Sequence, residues 1–309
     1  MKKRIFCLFA CVCLLAGGIF PVFAWDTDPV RRFLIFGCDE SGALTDTILL
    51  AARNKNTGEI SVLQIPRDTY AAYTTGSYRK INGAFRALGS EDCKAFFSRA
   101  LGVTVHWFAA LNLKCVPPLV DAIGGVDMDV PMDMDYSDPA QGLEIHIKKG
   151  LQHLDGQTAL SFIRYRSGYV TADLGRMQAQ QNFLRAFAKK CENMSAATFM
   201  KLFFIAAPNM QTDLPIHEVF ALSQGLGNSE LDQISFETVP GEAIKGKSGA
   251  WYFVLSREGT RAAVNRVLMP QSAVEEKQFD PDGVFDRPQD PDFHRIYQSP
   301  ASPGAGKKG

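Results

Sequence analysis

Two carboxylates and a set of cations, drawn from distant stretches of the chain, have the types and settings that phosphate chemistry needs. Asp39 and Asp46 flank a short loop between two apolar runs, Arg67 follows Pro66 at the end of a third, and Arg164 and Arg166 stand two apart beside Phe162. On a strand, residues two apart share a face, which would set the two guanidinium groups about 7 Å apart and call for an anion between them. Surface carboxylates or water are the alternative neutralisers. Arg176 and Gln180 are one turn apart at the start of an amphipathic helical segment, and helix N-termini and arginine forks both bind phosphate. Mg²⁺ typically takes one or two protein carboxylates and completes its octahedron with phosphate oxygens and water, so Asp39 and Asp46 would suffice for it. Metal, arginines and a diphosphate together make a coherent phosphoryl-transfer site.

The elements that must position these groups can be read from apolar periodicity and turn residues. Short runs of buried-strand type occupy 33–38, 47–53 and 59–65, the last after the turn Asn54-Lys55-Asn56-Thr57-Gly58. Two successive antiparallel hairpins would bring the end of the first strand, the start of the second and the end of the third to one sheet edge, where Asp39, Asp46 and Arg67 converge. Next come a helix at 91–101, a strand near 104–110, a helix entered at Pro117 and ended by Gly124-Gly125, and an alternating strand at 126–130. The pattern then reads as helix over 151–160, extended chain over 161–166, and helix over 176–191 with Asp173 placed to cap it. Helix and strand alternate on to 268, with a helix at 216–225, a strand at 233–239 and a helix starting near Ser256. No linker divides this body. Beyond Pro270 the composition turns polar and Pro-rich, then Gly/Lys-rich, and residues 269–309 read as a partly disordered tail.

The 309 residues carry 33 basic and 33 acidic side chains and are 46% apolar, ordinary globular composition. Residues 1–24 hold Lys2, Lys3 and Arg4 ahead of an uncharged run from Ile5 to Trp25, which reads as an export signal or N-terminal membrane anchor. Cleavage after Val22-Phe23-Ala24 and retention as a span are both open, and either way the body lies on the extracytoplasmic face. Without that segment the body has 30 basic against 33 acidic residues, a net charge of −3 and no basic footprint for nucleic acid. Cys38, Cys93, Cys115 and Cys191 are widely spaced, which fits buried thiols and leaves one disulfide open.

Three other patterns carry less. Gly241 to Ser248 satisfies the phosphate-loop expression but leads into Gly-Ala-Trp-Tyr-Phe-Val, a loop and strand where a nucleotide site needs a helix N-terminus. The acidic run Asp127, Asp129, Asp133, Asp135 and Asp138 begins as the solvent face of a strand and has no calcium-loop glycine. The 22 phenylalanines, among them Phe33, Phe36, Phe85, Phe96, Phe97, Phe162, Phe183 and Phe187, suit a lipid pocket and ordinary core packing equally.

At the charged positions the chain resembles the LytR-CpsA-Psr family of extracytoplasmic cell-wall proteins. The matching stretches are Leu34 to Asp39, Thr45 to Thr47, Gln64 to Thr69, Lys80 to Asn82, Val120 to Val126, Leu154 to Leu160, Arg164 to Arg166, and Asp173 to Gln180, with a weaker segment at Val239 to Ala243. The resemblance implies an α/β fold, a three-layer α-β-α domain over residues 30–268 with a central mixed, largely antiparallel sheet. It also implies transfer of a glycopolymer, such as teichoic acid or capsular polysaccharide, from a polyprenyl pyrophosphate carrier onto peptidoglycan at the membrane surface. Carried over by position, Asp39 and Asp46 would ligate Mg²⁺ or Mn²⁺, and Arg67, Lys80, Arg164, Arg166, Arg176 and Gln180 would hold the pyrophosphate. Asp173 matches a position near the site, beside its reading as a helix cap. One departure is visible: where many relatives carry an arginine just before the second aspartate, this chain has Leu44-Thr45, one positive group fewer. A non-catalytic lipid-pyrophosphate binding protein and a polyprenyl-pyrophosphate hydrolase are the rival readings.

Overall fold

The computed structural model describes residues 28–285 apart from 40, 41, 43, 75, 76, 140, 141, 170–172, 227–233, 247 and 248, so the N-terminal signal or anchor lies outside the described residues. In chain order the elements are β1 (Val30–Cys38), β2 (Thr45–Asn54), β3 (Ile60–Ile65), β4 (Tyr70–Thr74), β5 (Ser77–Lys80), α1 (Ala84–Leu88), α2 (Ser90–Leu101), β6 (Trp107–Asn112), α3 (Val116–Ala122), β7 (Val126–Val130), β8 (Met134–Asp138), β9 (Leu143–Ile147), β10 (Gly150–Leu154), α4 (Gly156–Arg164), α5 (Asp173–Lys190), α6 (Ala196–Ala206), β11 (Met210–Thr212), α7 (Ile216–Leu226), β12 (Ser235–Thr238), β13 (Gly241–Lys245), β14 (Trp251–Leu255) and α8 (Arg257–Val267). Among the described residues no helix is long and apolar enough to cross a membrane.

The central sheet has the order β11-β6-β1-β2-β3-β12. β1, β2 and β3 form the two expected antiparallel hairpins, β6 and β12 pair in parallel with β1 and β3, and β11 closes antiparallel on β6. The sheet is mixed for a physical reason: its hairpins need only tight turns, whereas the partners of β1 and β3 arrive after long crossovers. Along β1 burial alternates residue by residue, as the pleat requires. One face, with Leu34, Phe36, Ile48, Leu50, Leu63 and Ile65, packs on Cys93, Phe97 and Leu101 of α2 and on Ala263, Val264 and Val267 of α8. Over the opposite face, Gln181 of α5 donates to Gln64 on β3 at 2.7 Å and to Thr238 on β12 at 3.1 Å. These are the three layers. A second core, centred on Val126, Met128, Ile145, Phe162 and Phe183, joins α4 and α5 to the β7–β10 and β8–β9 pairs.

One expectation is corrected. Residues 150–154 are a strand paired with β7, and the helix is Gly156–Arg164, so Arg164 ends a helix and Arg166 follows it instead of sharing a strand face with it. The local chemistry favours this order: Asp155 caps the helix by accepting from the Thr158 N–H at 2.8 Å, and Gly156, Ala159 and Phe162 form its buried side. Gly156 is required by packing, since a Cβ there would fall 2.3 Å from the Pro117 carbonyl oxygen of α3. The first part of the tail, through Phe285, is packed against the body. Val274, Phe279 and Phe285 are buried in the main core, and Asp280, 2% exposed, accepts from the Val284 and Phe285 N–H groups and pairs with Arg257. Arg32, 1% exposed within β1, donates to the Leu268 and Met269 carbonyls at 2.7 and 2.8 Å and to Asp28, which fastens this segment to the sheet. Residues 286–309 lie outside the described residues.

Candidate active site

The edge where β1 ends, β2 begins and β3 ends carries the three predicted side chains. A bulge helps. Gly37 pairs with Thr47 and Cys38 with Thr45, which leaves Asp46 as the extra residue of β2, and such an insertion re-aims side chains that strict alternation would send to opposite faces. Asp46 and Thr47 accordingly both line one cavity of about 580 Å³, together with Gly37, Asp39 and Leu44. Gly37 keeps the approach close, since a Cβ there would sit 3.2 Å from the Thr47 Cβ. The turn after β1 is tied by the Asp39 N–H to the Leu44 carbonyl at 3.1 Å, and Asn112 at the end of β6 donates to the Asp39 carbonyl at 2.9 Å.

Opposite the carboxylates stand the arginines. Arg67, set just beyond β3 by Pro66, donates to Asp46 Oδ1 at 2.5 Å, and Arg166 donates to Asp46 Oδ2 at 2.8 Å, so one carboxylate is clasped by two guanidinium groups. Arg164 and Arg166 reach the cavity from the chain leaving α4, and Arg176 and Gln180 reach it from the first turns of α5. Gln180 accepts from the Thr47 hydroxyl at 3.2 Å, while its neighbour Gln181 is the residue that bonds across to Gln64 and Thr238. That buried amide network fixes the rotation of α5 and therefore which of its residues face the cavity. Arg176 is 4% exposed, and its charge partly offsets the effect of burial and of Tyr165 that pushes the Tyr169 phenol up to about 12.

Of the nine site residues read from the sequence, seven line this cavity: Asp39, Asp46, Arg67, Arg164, Arg166, Arg176 and Gln180. Lys80 is not among the lining residues. It ends β5, pairs with Asp68 at 3.0 Å and stands 5.8 Å from the centre of the Tyr252 ring. Asp173 begins α5, and its side chain lies outside the described residues. The cavity also takes in groups the sequence did not single out. Asn82 is held by its N–H to the Arg67 carbonyl and accepts the Thr45 hydroxyl on its own carbonyl, which links the short turn after β5 to β2. Tyr136 and Leu143 come from the β8–β9 hairpin, and Leu44, Leu113 and Ile163 supply an apolar side. Leu44 occupies the position where the resemblance implied an arginine.

Charge and polarity divide the cavity into a cationic wall, a carboxylate pair and a flank of aliphatic side chains. Such a shape suits an anion joined to an apolar chain. Nearby, burial and the charges of Asp39 and Asp46 push the Cys38 thiol up to about 11, which keeps it neutral and removes it as a nucleophile. The other sequence patterns find structural roles. Gly241–Lys245 is a strand paired with β14, Asp127 and Asp129 are on the exposed face of β7, and Asp127, Asp133 and Asp135 bond to His153, Lys149 and His146. Phe36, Phe85, Phe96 and Phe97 pack against one another in the main core, and none of the eight phenylalanines lines the cavity.

Comparison with known proteins agrees with this arrangement. The chain is 28% identical over 246 residues to the polyisoprenyl-teichoic acid–peptidoglycan teichoic acid transferase TagU of Bacillus cereus, covering 78% of each protein. It is 29% identical over 217 residues to the enzyme of the same description, TagV, of Bacillus subtilis, covering 68% of this chain and 55% of that one. Among solved structures, B. subtilis TagV superposes with a TM-score of 0.67 at 24% identity over 78% of this chain and 98% of that chain. A structure of TagT bound to LIIa-WTA gives 0.63 at 22% identity over 78% and 90%. The fold is therefore shared. The model of the LytR_cpsA_psr family matches residues 24–267, and the chain belongs to that family.

Proposed function

We propose that the protein is an extracytoplasmic phosphotransferase that moves a glycopolymer, of teichoic acid or capsular type, from a polyprenyl pyrophosphate carrier onto peptidoglycan, with Mg²⁺ or Mn²⁺ as cofactor. The observation that carries this reading is the clasp of Arg67 and Arg166 on Asp46 inside a cavity that Arg164, Arg176 and Asp39 also line. Among the described lining residues four arginines and two carboxylates meet, a set of groups that suits a diphosphate. The names of the relatives, transferases of polyisoprenyl-linked teichoic acid, support the same donor class.

Asp39 and Asp46 fit a hard divalent cation by ligand type, since both are carboxylates on one cavity wall and such an ion needs no more than two from the protein. When bound, the ion would screen the diphosphate and stabilise charge on the leaving phosphate. The rest is done by the chain. Arg67 and Arg166 pass from Asp46 to phosphate oxygens as the donor enters, Arg164 and Arg176 neutralise the charge that develops, and Gln180 orients one oxygen from α5. A sugar hydroxyl of the acceptor attacks the phosphorus next to the glycan in line, its proton goes to an aspartate of the pair, and polyprenyl phosphate leaves. The uncharged segment from Ile5 to Trp25 would hold the body at the outer membrane surface, where such donors reside.

The test uses the full chain in detergent with a polyprenyl-pyrophosphate-linked oligosaccharide and a peptidoglycan acceptor, with and without EDTA, the products followed by mass spectrometry. Metal-dependent attachment that disappears in Arg67→Ala is the expected result. Donor binding without attachment, or release of glycan phosphate into water, would replace the transferase reading with a binding or hydrolytic one.

A further inference from the structure

The β8–β9 hairpin lends the catalytic cavity two side chains, Tyr136 and Leu143. Residues two apart on a strand share a face, so Tyr136 follows Met134 on one side of β8, and across the pair Ile147 stands opposite Met134 and Ile145 opposite Tyr136. Met134, Ile145 and Ile147 are buried in the second core, together with Ala159 and Phe162 of α4. The hairpin is thereby packed on the helix that ends at Arg164, which fixes it relative to the cationic wall. Tyr136 continues the same face beyond the core. It is 37% exposed, whereas Met134 is 1% exposed.

The ring is an apolar plane at the wall of a charged cavity. Among the described residues it forms no aromatic pair and no cation–π contact, and its hydroxyl lies 3.5 Å from Asp138 Oδ2. A tyrosine has two side-chain torsions, so it offers a large rigid surface at small entropic cost. The faces of a pyranose are built of weakly positive C–H groups, and the face of a phenol ring carries the negative side of its quadrupole, so the two attract when stacked. The arginines suit the diphosphate of the donor, and Leu44, Leu113 and Ile163 suit its lipid. The part of the donor still to be placed is the sugar, which its bond to phosphorus carries to the cavity along with the diphosphate.

We propose that Tyr136 is the platform on which the sugar bonded to the donor diphosphate stacks, a specificity-determining contact that selects a pyranose with an unobstructed C–H face over an open-chain polyol. The inference rests on the donor class proposed above and adds the sugar to it. No bond forms or breaks at the ring. Its part is to hold the sugar, and with it the adjoining phosphorus, in one orientation towards the acceptor hydroxyl.

The full chain in neutral detergent with Mg²⁺ and no acceptor is titrated with farnesyl pyrophosphate, farnesyl-pyrophosphoryl glucose and farnesyl-pyrophosphoryl glycerol. Glucose is the probe sugar because its equatorial hydroxyls leave C–H groups on both faces. Native mass spectrometry counts the intact lipid bound by the wild type, Tyr136→Phe, Tyr136→Leu and Tyr136→Ala. Tyr136→Ala and Tyr136→Leu, the second of which keeps apolar bulk without the plane, should weaken the glucosyl lipid about tenfold and leave the other two as in wild type. Tyr136→Phe keeps the ring and should bind all three as wild type does. Equal weakening of all three lipids would make Tyr136 part of the lipid or diphosphate wall, and unchanged binding of all three would remove it from the site; either result overturns the proposal. A wild type that binds none of the three would instead remove the polyprenyl pyrophosphate donor, and this inference with it. Because only intact donor is counted, the readout does not depend on whether the cavity transfers or hydrolyses.

Discussion

Replacing Asp46 by Asn removes the charge at the centre of the clasp while keeping its shape, and its effect can be worked from the geometry. The Asp46 and Arg67 side chains are 19% and 21% exposed, whereas Arg166 is 57% exposed. A charge-assisted bond at the depth of the first pair contributes about 1.5–3 kcal/mol. The second pair is screened by solvent and contributes about 0.2–1 kcal/mol. The ligand-free variant should therefore lose about 2–3 kcal/mol, and at about 2–4 °C per kcal/mol for a domain of this size its Tm should fall by about 4–12 °C. Inorganic pyrophosphate should behave in the opposite way. In EDTA it takes over as counter-ion to Arg67 and Arg166 and no longer meets a carboxylate, so it should stabilise the variant at least as strongly as the wild type. Added Mg²⁺ should enlarge the pyrophosphate shift in the wild type alone. Thermal unfolding scans of both proteins under these three conditions decide the matter. An Asp46→Asn protein as stable as wild type would refute the clasp as a source of stability, and a Mg²⁺ enhancement that persists in the variant would refute the metal assignment.

Other outcomes follow from the same contacts. Phe279→Ala, which empties a fully buried site in the main core, should cost about 3–5 kcal/mol in urea unfolding, whereas a loose tail would leave the midpoint unmoved. Gln181→Leu strips Gln64 of its buried partner, and should cost about 1–3 kcal/mol and lower glycan transfer by unseating Gln180 and Arg176, with Gln181→Glu a poor substitute because it brings a charge into the same buried space. Burial pushes the thiols of Cys38, Cys115 and Cys191 up to about 11 and that of Cys93 up to about 12, so a disulfide reagent at pH 8 should label none of the four until the protein is unfolded. The sign also fixes the alkaline behaviour: unfolded thiols ionise from about pH 9 while the folded ones stay protonated to about 11, so stability should fall as pH rises through that window.

Much of the sheet was legible because it is built from local signals. The turn Asn54 to Gly58 and the apolar runs around it specify antiparallel hairpins, and antiparallel hairpins alone dictate that Asp39, Asp46 and Arg67 share an edge. The parts that local patterns do not show depend on contacts distant in sequence. The tail after Pro270 looks polar, yet Arg32 on β1 holds the Leu268 and Met269 carbonyls just before it, and Arg257 on α8 supplies partners for the Phe279 carbonyl and for Asp280. No window of the tail sequence contains those arginines. Tyr136 and Leu143 of the cavity come from a hairpin whose acidic residues mark only its solvent face. The bulge that turns Asp46 is equally silent, because an inserted residue has no composition of its own.

Arg164 and Arg166 show how the same groups reach one cavity although the local structure differs from the strand expected of them. A strand would have joined them through its two-residue repeat, but in fact a helix ends at the first and extended chain carries the second. Helix C-termini favour cations, so Arg164 is well placed by the backbone dipole before any ligand arrives. The chain must then pass from α4 to α5, and the Gln64–Gln181–Thr238 network seats α5 over β3 and β12, with Gln180 reaching Thr47 of β2. The connection is thereby held near the edge where Asp39 and Asp46 stand. What the sequence carried was the charge complement of that edge, four arginines and two aspartates, and complementarity selects the same groups whichever secondary structure delivers them. The assignment consequently depends on where the connection runs and is indifferent to the strand it was first read as.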